Sequence, residues 1–223
     1  MRTIVYIDGF NLYYGALKYS PYKWLDIYKL FNDRICPSIN SEKTEVKIKF
    51  FTANILGSIA SSKNSVSNQA KYHNALLKLY PNNIEIIKGK FLKETITARL
   101  VTYIPNFNQK EVEVLKLEEK KTDVNIAISM YRDIVNNMCD QIIICSNHTD
   151  LVPAVSAVYE DFPKANIGIV FPINEKSPRT SSKEFKAISH WEWKRISNRD
   201  LEYSQLPQTI PTHKKAIKKP LEW

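Results

Sequence analysis

The stretch that most constrains this chain is Asp140-Gln-Ile-Ile-Ile-Cys-Ser-Asn-His-Thr-Asp150. Ile142, Ile143, Ile144 and Cys145 form an apolar run too short for a typical helix, and it stops abruptly at Ser146-Asn147-His148-Thr149-Asp150. Such a run reads as a strand buried on both faces. Polar residues crowded behind its last apolar position then mark the carboxyl end of a parallel sheet, where open α/β folds bind ligands.

Other segments fit the same sheet. Arg2 to Ile7 is a β-branched run that reads as the first strand, and it ends in Asp8-Gly9-Phe10-Asn11. Gly9 permits a tight exit and Asn11 lies at a helix start, so Asp8 sits at a strand's carboxyl end. Taken alone, Asp8 is more simply a cap or turn residue. Glu45–Ala53, Ile84–Ile87 and Ala165–Phe171 add parallel strands, and Ser58–Ser67 is a polar loop. Helical spacing covers Leu12–Leu17, Leu25–Ile35, Gln69–Tyr80, Val124–Asn137, Pro153–Glu160 and Arg179–Ile188. Ala127, Met130, Tyr131 and Ile134 are predicted to face the sheet, and His73 reads as an ordinary surface histidine of its helix. Asp123 falls in the first turn or at the cap of the 124–137 helix, where capping alone would account for it. This strand–helix alternation argues a parallel α/β sandwich.

Two segments depart from the rhythm. Lys88–Lys116 reads as a hairpin-bearing insertion that carries Lys88, Lys90, Lys93, Arg99, Lys110 and Lys116 among Phe91, Tyr103 and Phe107. Basic residues interleaved with aromatics suit a single-stranded nucleic acid. A solvated hairpin with an apolar underside has the same pattern. The tail, Leu206–Trp223, holds three prolines with Lys214, Lys215, Lys218 and Lys219. It reads as a segment that wraps the domain or is loosely ordered.

Composition narrows the class. The 223 residues suit one domain with extensions, and no apolar run has transmembrane length. Met1-Arg2 leads at once into a strand, which argues against a signal peptide. Three cysteines in or beside apolar segments read as reduced thiols of a cytoplasmic protein. A formal net charge of +9 favours a polyanionic partner.

The sheet places Asp8 and Asp150 on one edge, and the helix begun by Asp123 reaches it. Carboxylates gathered without partners raise one another's pKa, and a hard divalent cation relieves this. Such an ion activates water and stabilises charge on a phosphoryl centre. In a basic surround, phosphodiester hydrolysis is the natural chemistry.

Three stretches carry a resemblance. Ile7-Asp-Gly-Phe-Asn-Leu-Tyr-Tyr-Gly15, Glu118-Glu-Lys-Lys-Thr-Asp-Val-Asn125 and Cys145-Ser-Asn-His-Thr-Asp-Leu151 resemble, in order, the signatures of the NYN domain family, PIN-like nucleases close to the LabA/DUF88 group. The likeness spans roughly Met1 to His190. It implies a Rossmann-like, three-layer PIN/NYN sandwich over residues 1–190, with a central, mainly parallel sheet and a hairpin insertion at 88–117. Residues 191–223 are then a basic, proline-containing extension. It also implies a Mg²⁺ or Mn²⁺ site and endoribonuclease chemistry on RNA, single-stranded by expectation, in a chain that can form homodimers. By motif, Asp8, Asp123 and Asp150 are the metal-site carboxylates, while Asn11 and Ser146 orient ligands or substrate. Lys121, Arg99 and Arg179 are candidate phosphate contacts.

One position departs from the pattern. His148 stands where the family usually has a first aspartate, and imidazole suits Mn²⁺ or Zn²⁺ better than Mg²⁺. His148 is a ligand or base of an altered active site, or lies just outside the ion's shell, or marks a degenerate site kept for RNA binding. Some family members of similar length are described as pyridine-ring hydroxylases. This chain has no GxGxxG loop and no convincing two-His-one-carboxylate spacing to support that chemistry.

Overall fold

The structure is a computed structural model that describes residues 1–40, 44–57, 60, 62–102, 110–213 and 215–223. Tyr103 and Phe107 of the expected hairpin, part of the Ser58–Ser67 loop and Lys214 of the tail lie outside the described residues. Six strands form a parallel sheet in the order β3-β2-β1-β6-β7-β8. They are β1 Arg2–Asp8, β2 Glu45–Thr52, β3 Ile84–Lys88, β6 Gln141–Cys145, β7 Asn166–Val170 and β8 Trp191–Trp193. Between β3 and β6 the chain makes the antiparallel hairpin of β4 Lys90–Arg99 and β5 Glu111–Lys120.

Burial on both faces is what makes the central strands continuous apolar runs. Ile4 and Tyr6 of β1 enter one core, with Ile142, Ile144, Ile167 and Ile169. Val5 and Ile7 enter the other, with Trp24, Leu30, Phe31, Ile48 and Leu76. The first core is covered by α5 Thr122–Val135 and α6 Val152–Asp161. The second is covered by α4 Ser65–Leu79 and by the short helical segments α2 Ile27–Lys29 and Leu30–Ile35. These are the three expected layers. Beginning at β1, the chain builds outward through β2 and β3, then crosses to β6 and builds through β7 and β8 on the other side. The strand order reverses between β1 and β6, and a crevice at that point of an open parallel sheet is where ligands sit.

The structure corrects three expectations. The buried stripe of α5 is Ile126, Met130 and Ile134, whereas Tyr131 turns outward and donates its hydroxyl to Asp161 (2.7 Å). Ala165–Phe171 is not the last parallel strand, because Trp191–Trp193 pairs with β7 and Trp191 stacks over Gly168, where a Cβ would strike its ring. His73 is buried, at 7% exposure, with its ring edge-on to Phe50.

Burial pushes the His73 imidazole down to about 4, from an ordinary 6.5. Above pH 6.5 it is neutral folded or unfolded; below, the unfolded chain takes the proton first. Stability is therefore lost as pH falls from about 6.5 towards 4, by up to about 3 kcal/mol. Urea unfolding at pH 7 and 4.5 should show a smaller acid loss for His73→Gln than for the native chain. Equal losses would contradict the assignment.

The tail wraps the domain. Leu206 and Ile210 are buried, Leu206 N–H donates to the Trp24 carbonyl (3.0 Å), and β9 Thr209–Ile210 pairs with β10 Ile217–Lys218. Trp223 returns its ring to Trp24 and Tyr72. All three cysteines are buried free thiols.

Candidate metal centre at the carboxyl edge

β1 ends in Asp8, which caps α1 Gly9–Leu12. Its Oδ1 accepts from Asn11 N–H (2.9 Å), and its Oδ2 accepts from Asn11 Nδ2 (3.0 Å) and Ser146 Oγ (3.1 Å). Cap and site residue are thus the same carboxylate. Burial raises the Asp8 pKa, the hydrogen bonds from Asn11 N–H and Ser146 oppose that, and the charge of Asp123 adds to the rise. Asn11 Oδ1 accepts from Asn147 N–H (3.3 Å), and Ser146 Oγ accepts from His148 N–H (3.1 Å). Asn11 and Ser146 therefore lock the ends of β1 and β6 together around Asp8.

Beside this bracket, Asp123, His148 and Asp150 offer three ligand atoms within 4.8 Å of one another. His148 Nδ1 lies 3.2 Å from Asp123 Oδ2, and its Nε2 lies 3.8 Å from Asp150 Oδ2. Asp123 and His148 are part-exposed and Asp150 is exposed, so an ion would meet solvent and substrate there. Asp8 is not one of this trio. It neighbours the trio through Asp123, whose charge it feels.

A fourth carboxylate was missed by sequence reasoning. Glu119, next to last in β5, accepts from the Thr122 hydroxyl. Burial raises its pKa first, the Thr122 hydrogen bond opposes that, and the charges of Asp123 and Asp8 raise it further. Gly89 makes room for it, since a Cβ there would run into Glu119 Oε1 and Thr122 Oγ1. The hairpin thus delivers its base, not its tip, to the centre.

The candidate phosphate contacts separate. Lys121 starts α5 in the left-handed region (φ 79), a conformation uncommon for a residue with a side chain. Arg179 lies in the loop that Asn147 fastens through Thr180 O (3.1 Å) and Ser182 N–H (2.9 Å). Arg195 holds that loop too, donating to the carbonyls of Asn174, Ser177 and Arg179. Arg99 stands at the far end of the ten-residue ladder, roughly 30 Å along the strand from Lys90, and pairs with Glu111. The structure does not bring Arg99 to the carboxylates. Of the other hairpin residues, Phe91 packs edge-on against Phe10, and Lys116 forms a half-exposed ion pair with Glu118.

The donor set fits a divalent ion. Asp8, Glu119, Asp123 and Asp150 converge, and among the described residues no Lys or Arg forms an ion pair with any of them. One imidazole with carboxylates suits Mn²⁺ as well as the hard Mg²⁺.

A six-stranded parallel sheet covered by helices on both faces, with carboxylates gathered at its switch point, is a Rossmann-like sandwich. The chain belongs to the NYN domain family, which matches residues 2–189. It is also similar to 6-hydroxy-3-succinoylpyridine 3-monooxygenase HspA of Pseudomonas putida (strain DSM 28022 / S16). The two are 36% identical over 240 residues, an alignment that covers all of this chain and 75% of that protein. A crystal structure of VPA0982, a protein of unknown function from Vibrio parahaemolyticus RIMD 2210633, shares the fold with a TM-score of 0.51 at 13% identity. That likeness covers 90% of this chain and 94% of the other.

Proposed function

We propose that the protein is a metal-dependent endoribonuclease that hydrolyses phosphodiesters of single-stranded RNA. The observation that carries this reading is the convergence of four carboxylates that no Lys or Arg pairs among the described residues, with the His148 ring set between two of them. Asp123, His148 and Asp150 would hold Mn²⁺ or Mg²⁺, which when bound supplies an activated water and charge stabilisation at phosphorus. Asn11 and Ser146 hold Asp8 in a fixed orientation beside the ion's site. Lys121 and Arg179 flank the edge as phosphate contacts, and the net charge of +9 draws in the polyanion. No helix among the described residues is long and apolar enough to cross a membrane. With buried free thiols, a cytoplasmic site of action fits.

The test is ion preference. His148→Asp makes the donor set all oxygen, so the ratio of cleavage rates in Mn²⁺ and Mg²⁺ should fall several-fold. An unchanged ratio would remove His148 from the ion's shell. Cleavage by His148→Asp but not by the native chain would identify a disabled nuclease that now binds RNA. In that case His148, set between Asp123 and Asp150, stands in for the metal.

The relation to the monooxygenase over the full length of this chain favours a second reading, hydroxylation of a small pyridine-type ring. That reaction consumes dioxygen and two electrons from a reductant. Ring-hydroxylated product formed by purified protein with 6-hydroxy-3-succinoylpyridine, dioxygen and reduced nicotinamide would establish it; its absence, beside RNA cleavage, would leave the nuclease.

A further inference from the structure

A cavity of about 640 Å³ opens on the β2 side of Asp8, beginning at Gly9 and Phe10. Its size is that of a small-molecule site. None of Asp123, His148 and Asp150 lines it, so it is separate from the metal centre.

One wall is the inward face of α4. At i, i+3, i+4, i+7 and i+8 that face presents Ser65, Asn68, Gln69, Tyr72 and His73, all of which line the cavity. A helix that merely covered a sheet would carry aliphatic residues at these positions, as the next turn does with Ala75 and Leu76. Gln69 is engaged by the backbone. Its Oε1 accepts from Ile55 N–H and its Nε2 donates to the Ala53 carbonyl, both at 2.9 Å, which fixes the chain leaving β2. Asn68 and His73 have no such engagement. They are 4% and 7% exposed, both line the cavity, and neither is among the buried side chains left with an unsatisfied polar atom, so their polar atoms open on the cavity. An amide and an imidazole whose polar atoms open on one cavity take their hydrogen bonds from whatever fills it, which gives a ligand two groups to read its edge.

The surrounding chemistry specifies that ligand. Phe50 lies edge-on to both Tyr72 and His73, and Trp223 packs its ring on Tyr72, which gives the cavity aromatic walls. Such walls accept a flat ring. A carboxamide and a neutral imidazole each donate and accept, which suits a heterocycle with both functions on its edge. Lys18 and Lys23 line the opening and supply positive charge for an anionic substituent. The acid of the rim, Glu222, is engaged by Ser62 and Asn64.

We infer that this cavity binds a planar heteroaromatic ring carrying an anionic group, with Asn68 and His73 reading the ring edge. The base of a nucleotide and a free ring carboxylate share that chemistry. The inference stands apart from the nuclease reading, because binding requires neither the ion nor cleavage.

The test is calorimetric titration of the full chain in EDTA with uridine 5′-monophosphate, adenosine 5′-monophosphate, nicotinate and ribose 5-phosphate. At least one ring-bearing probe should bind with a Kd below about 1 mM, and ribose 5-phosphate, an anion without a ring, should not. Asn68→Leu and His73→Leu should each weaken binding by about tenfold or more, the loss of one well-placed hydrogen bond. Lys18→Gln, which leaves the interior intact, should weaken it less. Mononucleotides binding without nicotinate would identify a base site, and nicotinate alone a ring-carboxylate site. Absence of binding by every ring-bearing probe, equal binding of ribose 5-phosphate, or unchanged affinity in both interior variants would overturn the inference. Loss of RNA cleavage elsewhere would not affect any of these results.

Discussion

Asp123→Asn is expected to lower RNA cleavage at least ~100-fold while the protein stays folded. Residues that merely orient metal ligands cost 10–100-fold when changed, so loss of a ligand itself should reach at least the upper end of that range. Asp123 is the cleanest position for this test. It is part-exposed in the first turn of α5, and the His148 ring is its polar side-chain partner. Asn keeps its shape and removes its charge. Asp8→Asn is less clean, because Asp8 also caps α1 and accepts from both Asn11 and Ser146. Cleavage rates and a thermal melt of Asp123→Asn decide the matter. A native rate from a folded variant would remove Asp123 from the centre.

The second large effect is structural. Trp24→Ala should cost about 3–5 kcal/mol, the usual penalty for emptying a fully buried aromatic site. Trp24 is 0% exposed, and its Nε1 donates to the Pro207 carbonyl at 2.9 Å. Its ring meets Tyr72 and Trp223, so it joins the N-terminal layer, α4 and the tail. Trp24→Phe keeps most of the packing and loses that hydrogen bond, for about 1 kcal/mol. Urea denaturation measures both. A loss below about 1 kcal/mol for Trp24→Ala would mean that the tail is not part of the cooperative unit.

The central strands were legible because burial on both faces leaves little room for anything but β-branched and apolar residues, as in Thr3–Ile7 and Ile142–Cys145. Once those runs were strands, their polar ends had to share an edge, which placed Asp8 and Asp150; Asn11 and Ser146 joined them only through the family resemblance. Other features depended on packing that no local pattern encodes. Glu119 stands in the run Glu118-Glu-Lys-Lys121, which reads as a solvated charge cluster; only the approach of Gly89 and Thr122 turns it toward Asp8. The α5 stripe was misread because Tyr131 is apolar by composition yet reaches Asp161 across the surface. His73 looked exposed because the helix face it shares with Asn68 and Gln69 is polar, and that polar face lines a cavity instead of meeting bulk solvent. Strand β8 has three residues, too few for its Trp-Glu-Trp alternation to stand out.

The most direct measurement is cleavage of a labelled single-stranded RNA by the native protein in Mn²⁺, in Mg²⁺ and in EDTA. The account predicts cleavage that EDTA abolishes and added Mn²⁺ restores. Cleavage that persists in EDTA, or RNA that binds and stays intact with either ion, would contradict it.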